Sequence, residues 1–213
     1  MLPVKGYNDT VMTNYSAGEE QAWGILAGLS AEDVCRRAKV VFDRLSGLYI
    51  LRSFHQDISV SPQNREISGT SPAGEFLLSE LGYYSRLSIL WYLIRAKDVP
   101  LSGELIKPCS MTGGQIYLRG AHMLPLDRIA EKYGRDIQGF LRRGRELGSE
   151  PLDYADASLQ FFPFPRMPVT MLLWENDEEF PSRSDLLFDS TCEAQLPADI
   201  IWSTAMMSVL IML

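Results

Sequence analysis

The order of helical and strand patterns along the chain is the feature that most limits its possible folds. Apolar residues at helical spacing come first, and two or three short strand patterns follow. Helical patterns fill the middle, and a second group of strand patterns precedes a final helix. Parallel α/β folds would instead alternate single strands with single helices. The order therefore predicts an α+β fold with a mainly antiparallel sheet and helices packed on it.

The most clearly marked helical pattern spans residues 75–97, where apolar side chains such as Leu77, Leu81 and Trp91 recur every three or four positions. Ser30, with Asp33 three residues later, predicts a helix N-cap. Further helices are predicted over 19–29, 31–39, 125–133 and 135–147, and from Pro197 onward. Strands are predicted over 48–51, 58–60, 157–164, 169–174 and 186–188.

The length and composition are those of one ordinary globular domain. The chain has 213 residues, of which 46% are hydrophobic and 22% charged. A chain of this size buries roughly 70% of the surface that its unfolded form exposes. We therefore expect a flexible N-terminal lead over residues 1–18 and a single α+β domain over 19–213.

Charge and cysteine usage narrow the classes of partner and compartment. The net charge of −7 gives no bulk attraction to nucleic acid, so we expect no nucleic-acid partner. The three cysteines show no CxxC spacing, which favours a reducing cytoplasm over a disulfide-stabilised secreted fold. The apolar stretch 200–213 is shorter than the ~20 residues of a membrane span. This stretch therefore predicts either a buried helix or a helix at a subunit interface, and the second possibility would make the protein a homodimer. We expect no membrane partner.

An acidic segment between two predicted strands is the first candidate site. It reads WENDEEFP over 174–181, and Asp185 follows. Carboxylates of Asp177, Glu179 and Asp185 are the oxygen ligands that Mg²⁺ or Ca²⁺ prefers, and two of them could divide acid and base roles. The alternative is a solvated connection with Asn176 and Asp177 as turn residues.

A basic stretch over residues 128–146 is the second candidate. Arg142 and Arg143, with Arg145 beside them, could clamp a phosphate or carboxylate through bidentate hydrogen bonds. The alternative is the outer face of an amphipathic helix, where charged residues are solvated.

Cys109 and His122 are the third candidate, as a nucleophile and its base. A two-residue hairpin at Gly113 and Gly114 would place both side chains on one side of the ribbon. Four residues of strand, about 13 Å at roughly 3.3 Å per residue, would separate their levels. Contact therefore requires a bulge or a different turn, and ordinary packing or solvation is the alternative.

Several segments, taken together, resemble the prokaryotic family known as domain of unknown function 3786. The segments that carry the resemblance are 21–34, 41–51, 90–104, 113–114, 163–168, 172–181 and 187–190. It covers about residues 20–205 and is most specific near the acidic segment. The family's members occur largely in anaerobes. The resemblance implies no particular activity, but it places Asp177, Glu178, Glu179 and Arg166 within the family pattern.

Missing catalytic motifs and abundant aromatic residues favour binding over catalysis. The chain has no Walker A loop, GxSxG elbow or HExxH motif. Trp174 and other aromatic side chains could line a pocket for a small molecule, although the sequence identifies no cofactor. We expect a non-catalytic protein of anaerobic metabolism that binds a small ligand, a cofactor or a partner protein. The alternatives are a metal-dependent hydrolase using Asp177–Glu179 and a structural subunit that dimerises through its C-terminal helix.

Overall fold

A computed structural model of the chain describes residues 9–115 and 122–213, with side chains from residue 17 onward. Its helices are α1 (Asp9–Ala27), α2 (Ala31–Ala38), α3 (Pro72–Leu81), α4 (Tyr83–Arg95), α5 (Leu126–Tyr133), α6 (Ile137–Glu146), α7 (Cys192–Gln195) and α8 (Ala198–Leu210). Its strands are β1 (Val41–Asp43), β2 (Leu48–Ser53), β3 (Gln56–Ser61), β4 (Glu66–Gly69), β5 (Leu105–Ile106), β6 (Glu150–Leu152), β7 (Ala157–Phe164), β8 (Met167–Trp174) and β9 (Arg183–Asp189).

The strands form two antiparallel sheets. The first has the order β1-β2-β3-β4, and the second has the order β5-β9-β8-β7-β6. Neighbouring strands are antiparallel throughout both sheets. The predicted α+β fold in a single domain is confirmed, with two sheets in place of one.

The start of α1 differs from the sequence prediction. The helix begins at Asp9, ten residues before the predicted start. The predicted N-cap of α2 is confirmed, because the Ser30 hydroxyl accepts the N–H of Asp33 at 3.5 Å. Residues 1–8 of the expected lead lie outside the described residues, and the division of the chain at residue 18 stays a prediction.

The single helix predicted over 75–97 is wrong, because two helices meet at Gly82. The backbone there has φ +52°, a left-handed conformation that glycine adopts without steric cost. The Gly82 N–H donates the last hydrogen bond of α3, to the Leu78 carbonyl at 2.9 Å. The Ser85 hydroxyl, in the first turn of α4, donates to the Gly82 carbonyl at 2.8 Å. Both helices turn apolar faces to the same core, which explains the continuous sequence pattern.

The core lies around β8 and α8. Every residue of β8 from Met167 to Leu173 is buried, as its continuous apolar run predicts. In α8 every residue from Ile200 to Val209 is also buried within the single chain, and the Ser203 hydroxyl is hydrogen-bonded to Ser88 at 3.0 Å. Among the helices that the structure describes, none is long and apolar enough to cross a membrane.

Candidate functional site

The acidic segment forms the loop between β8 and β9. Pairing of Trp174 with Arg183 makes residues 175–182 a hairpin connection. Asp177 shapes that loop, because its Oδ1 accepts the N–H groups of Glu179 at 2.8 Å and Phe180 at 2.6 Å. The Asn176 N–H donates to the Gly134 carbonyl at 3.1 Å, which attaches the loop to the end of α5.

The base of this loop opens into a cavity of about 460 Å³, which we call the acidic cleft. It is lined by Asp156, Trp174, Glu175, Asp177, Phe180, Pro181, Ser182 and Arg183. Asp156 comes from the turn before β7, and its Oδ2 accepts the N–H of Glu175 at 2.9 Å. The cleft therefore joins the loop to a neighbouring strand end instead of lying within the loop alone.

Charge and aromatic surface are combined in the acidic cleft. Three carboxylates and one guanidinium line it, and that guanidinium, of Arg183, lies 4.0 Å from the centroid of the Trp174 ring. Phe180 is 67% exposed, an unusual state for a phenylalanine that packing within the chain does not explain. The arrangement offers negative charge beside apolar surface, which suits a small molecule that carries both a cation and an apolar group.

The cleft includes only part of the predicted acidic group. Trp174 and Asp177 line it, whereas Glu178 and Glu179 are exposed outside its lining. Asp185 lies on β9 and pairs with Lys107 at 2.7 Å, an interaction that raises the pKa of Lys107. Over residues 17–115 and 122–213, whose side chains are described, no three His, Cys, Asp or Glu side chains form a group that could hold a metal ion. Asp177, Glu179 and Asp185 are therefore not brought together as a ligand set.

Arg166 does not line the acidic cleft and instead joins helix ends to the second sheet. It occupies the two-residue turn between β7 and β8, and its guanidinium donates to the carbonyls of Arg37 at 2.7 Å and Val99 at 3.3 Å, and to the Asp98 carboxylate. Its own N–H donates to the Tyr92 hydroxyl at 3.1 Å. Burial raises the pKa of Tyr92, so this hydroxyl stays neutral. Arg166 thus has a structural role in the contacts that the structure shows.

The two arginines predicted as an anion clamp differ in their surroundings. Arg143 donates to the Ile211 carbonyl at 2.7 and 3.2 Å and to Glu146 at 3.1 Å, while Arg142 is exposed. Lys132 donates to the Met212 carbonyl at 3.0 Å. Cations beside the last carbonyls of a helix are favourable, so Arg143 stabilises the end of α8.

The hairpin predicted at Gly113 and Gly114 is not what the structure shows around Cys109. Residues Pro108–Ser110 form a 3₁₀ turn instead of a strand. Most of the residues that would follow the predicted hairpin turn, 116–121, lie outside the described residues. His122 packs edge-on against Trp202 with ring centroids 5.2 Å apart, and its carbonyl accepts the Trp202 indole N–H at 2.7 Å.

Sequence reasoning missed Asp156 and Arg183 as parts of the cleft. Their signal lies in strand pairing: a hairpin closed by residues 175–182 places Arg183 beside Trp174. Likewise, pairing of Ala157 with Leu173 brings Asp156 to the start of the loop. Both pairings depend on the register of β7, β8 and β9, which the sequence patterns alone leave open.

The fold and the cleft define a single-domain α+β protein with a ligand-sized cavity at a hairpin base. The chain belongs to the family described as Domain of unknown function (DUF3786), whose profile matches residues 30–210. That match includes every residue of the acidic cleft. No curated protein and no solved structure matches the chain.

Proposed function

We propose that this protein binds a small organic cation, with an amine or quaternary ammonium group and an apolar part, in the acidic cleft, without chemical conversion. The observation that carries the proposal is the convergence of three carboxylates and two aromatic rings on one cavity of about 460 Å³. Pockets for small molecules range from about 300 to 1,000 Å³, so the cavity has a suitable size.

The carboxylates of the cleft can bind a ligand while they hold the backbone. The hydrogen bonds to backbone N–H groups use Oδ2 of Asp156 and Oδ1 of Asp177. In the part of the chain that the structure describes, no hydrogen bond is made to the second oxygen of either carboxylate. An ammonium group supplies up to three donors, so it can bridge such oxygens. These backbone contacts also fix the carboxylates before a ligand arrives, which lowers the entropy lost on binding.

The aromatic surface accounts for the organic part of the ligand. The Arg183 guanidinium lies over the Trp174 ring, and this contact supports a site that combines cations with aromatic surface. The exposed Phe180 ring supplies apolar area that a ligand would cover. A bare metal ion would use neither ring.

Thermal-shift measurements with benzylamine as the probe test this proposal, with benzyl alcohol as an uncharged control of the same shape. A ligand at one hundred times its Kd adds about 2.7 kcal/mol to the free energy of unfolding. For a chain of this size, that raises Tm by roughly 5–11 °C. Benzylamine should raise Tm and benzyl alcohol should not, while equal effects from the two compounds would contradict the proposal.

Matched variants of the acidic segment locate the effect. Asp177→Asn keeps an oxygen that can accept the loop N–H groups but removes the charge, and Glu175→Gln removes a second charge. Each should weaken benzylamine binding about fivefold, because loss of one partly exposed ionic contact costs about 1 kcal/mol. Glu178→Gln changes the same net charge outside the cleft lining and should leave the affinity unchanged. Equal weakening by all three would mean non-specific attraction.

We place this role in the cytoplasm. The three cysteines, Cys35, Cys109 and Cys192, are free thiols, which is the usual state in a reducing compartment. A homodimer through α8 has no comparable support, because the apolar residues that suggested it are buried within one chain.

A further inference from the structure

A second cleft, of about 300 Å³, lies where the two sheets meet, and we call it the basic cleft. It is lined by Lys39, Arg52, His55, Gly148, Glu150, Phe162 and Pro165. These residues come from the end of α2, the β2–β3 hairpin, the start of β6 and the end of β7. None of them lines the acidic cleft.

Positive charge is concentrated in the basic cleft although the chain as a whole is acidic. Two cations, Lys39 and Arg52, line it against the single carboxylate of Glu150, in a chain with a net charge of −7. Arg52 has one ionic contact, to Asp57 at 3.7 Å, and both side chains are about half exposed. Such an exposed pair is weak, so the guanidinium remains available to an anion. His55 offers an N–H donor in either protonation state.

The backbone that carries His55 is held in an unfavourable conformation. Phe54 and His55 form the two-residue turn between β2 and β3 with φ of +45° and +67°. Turns of this kind favour Asn and Gly, because bulky residues adopt positive φ at a steric cost. Phe54 nevertheless fits, since its ring is fully buried against Phe161 and its N–H donates to the Phe162 carbonyl at 2.9 Å. The turn is therefore anchored to the second sheet.

Gly148 fixes the other side of His55. It has φ +67°, and a Cβ added there would lie 2.4 Å from the Cβ of His55. Only a residue without a side chain permits this approach. Lys39 also has a positive φ, of +55°, at the end of α2. Unfavourable backbone conformations kept by surrounding structure tend to occur at binding sites. Here two of them, at Lys39 and His55, border one cleft.

We propose that the basic cleft binds a small phosphate monoester, with the phosphate on Arg52, Lys39 and His55 and the organic group against Phe162 and Pro165. A guanidinium binds phosphate in a bidentate manner, and an ammonium adds a point charge. The half-buried Phe162 ring and Pro165 supply apolar surface beside the cations. Glu150 limits the anionic charge that the cleft accepts, and the small volume favours a compact ligand over a nucleic-acid backbone.

Proton NMR tests the proposal with little ambiguity, because the chain has only two histidines, His55 and His122. Their ring Hε1 signals can be assigned with His55→Asn, a residue that tolerates the left-handed backbone. Titration at fixed pH with phenyl phosphate should shift the His55 signal saturably and leave His122 unmoved. Inorganic phosphate should produce the same shift with at least fivefold weaker affinity, because it lacks the apolar group. Benzoate tests whether any aromatic anion suffices.

Charge variants at exposed positions complete the test. Arg52→Gln should weaken phenyl phosphate binding at least fivefold, whereas Arg95→Gln, a matched exposed arginine outside the cleft lining, should not change it. Glu150→Gln should strengthen binding about twofold, an effect that loss of structure would not produce. The proposal is overturned if the His55 signal shows no saturable shift, if Arg52→Gln and Arg95→Gln bind alike, or if benzoate binds as tightly as phenyl phosphate.

Discussion

Asp189 should contribute more to stability than the other carboxylates of the second sheet, and Asp189→Asn tests this. The residue is 4% exposed at the end of β9. Its Oδ1 accepts the N–H of Ser102 at 3.2 Å and of Thr191 at 3.0 Å, and the hydroxyls of the same two residues at 3.0 and 2.6 Å. Its Oδ2 accepts the Gly103 N–H at 2.8 Å. The side chain thereby connects the loop before β5 to the end of β9.

The cost of Asp189→Asn follows from these contacts. An asparagine oxygen in the Oδ1 position keeps the four bonds from Ser102 and Thr191 at reduced strength. Its NH₂ group then faces the Gly103 N–H, so one charge-assisted bond is replaced by two opposed donors. Hydrogen bonds to charged groups contribute about 1.5–3 kcal/mol each. We therefore expect a loss of about 3 kcal/mol, or roughly 6–12 °C in Tm for a chain of this length.

The pH dependence gives the prediction its sharpest test. Burial alone would raise the pKa of Asp189, but the hydrogen bonds from Thr191, Gly103 and Ser102 outweigh it and hold the pKa below its usual value of 3.8. A carboxyl whose pKa is lower in the folded than in the unfolded protein stabilises the fold. This contribution is fully present above the pKa of the unfolded state and is lost as pH falls through the pKa of the folded state. The difference between wild type and variant should thus be full at pH 7 and shrink below about pH 4.

Urea unfolding followed by circular dichroism, between pH 7 and pH 2.5, measures this difference. Asp185→Asn is the control, because Asp185 lies on the same strand but forms a more exposed ion pair with Lys107. It should cost less than about 1 kcal/mol. If Asp189→Asn proved no more destabilising than Asp185→Asn at pH 7, or if its effect were unchanged at pH 2.5, the reasoning would be refuted.

Three further variants or reagents test other contacts. Arg166→Gln should lower the free energy of unfolding by about 2 kcal/mol in urea without changing benzylamine affinity, whereas a weaker affinity would place Arg166 in the binding site. Gly148→Ala should lower the free energy of unfolding by about 2 kcal/mol, because the new Cβ would clash with the Cβ of His55. In a double-mutant cycle, adding His55→Gly should restore part of that loss, whereas strictly additive losses would contradict the close contact between the two residues. Burial raises the pKa of Cys192 to about 12, so at pH 8 a thiol reagent should modify it only as fast as the protein unfolds, as peptide mass mapping would show.

Elements with a strong local signal are the ones that the sequence patterns predict well. β7 matches its predicted range of 157–164, and β8 extends its predicted range by two residues to Met167. The N-cap at Ser30 is correct because capping depends on residues within one turn. The break at Gly82 was missed since apolar side chains on either side face one core, so the helical pattern continues through it.

The acidic cleft could be predicted only in part, because its residues come from separate strands. Trp174 and Asp177 share one loop, so their proximity is visible in the sequence. Asp156 and Arg183 join them through the pairing of β7, β8 and β9, and register depends on tertiary packing as well as on local patterns. The basic cleft is less visible still, since Lys39, Arg52 and Gly148 meet only when the two sheets pack together.

The use of cations in this chain shows why residue type alone could not locate an anion site. Arg143 was predicted as part of an anion clamp and Arg166 lies within the family pattern, but each donates to backbone carbonyls near a helix end, whose partial negative charge substitutes for an anion. Arg52 lies on β2, and among the described residues its guanidinium donates no hydrogen bond to a backbone carbonyl and has only the ionic contact with Asp57. A strand arginine with only a long, exposed ionic contact therefore has more binding capacity left than Arg143, which has two acceptors, or Arg166, which has four. The phosphate test therefore centres on Arg52 because its guanidinium has few acceptors within the chain. The clustering of arginines in the sequence does not reveal this difference.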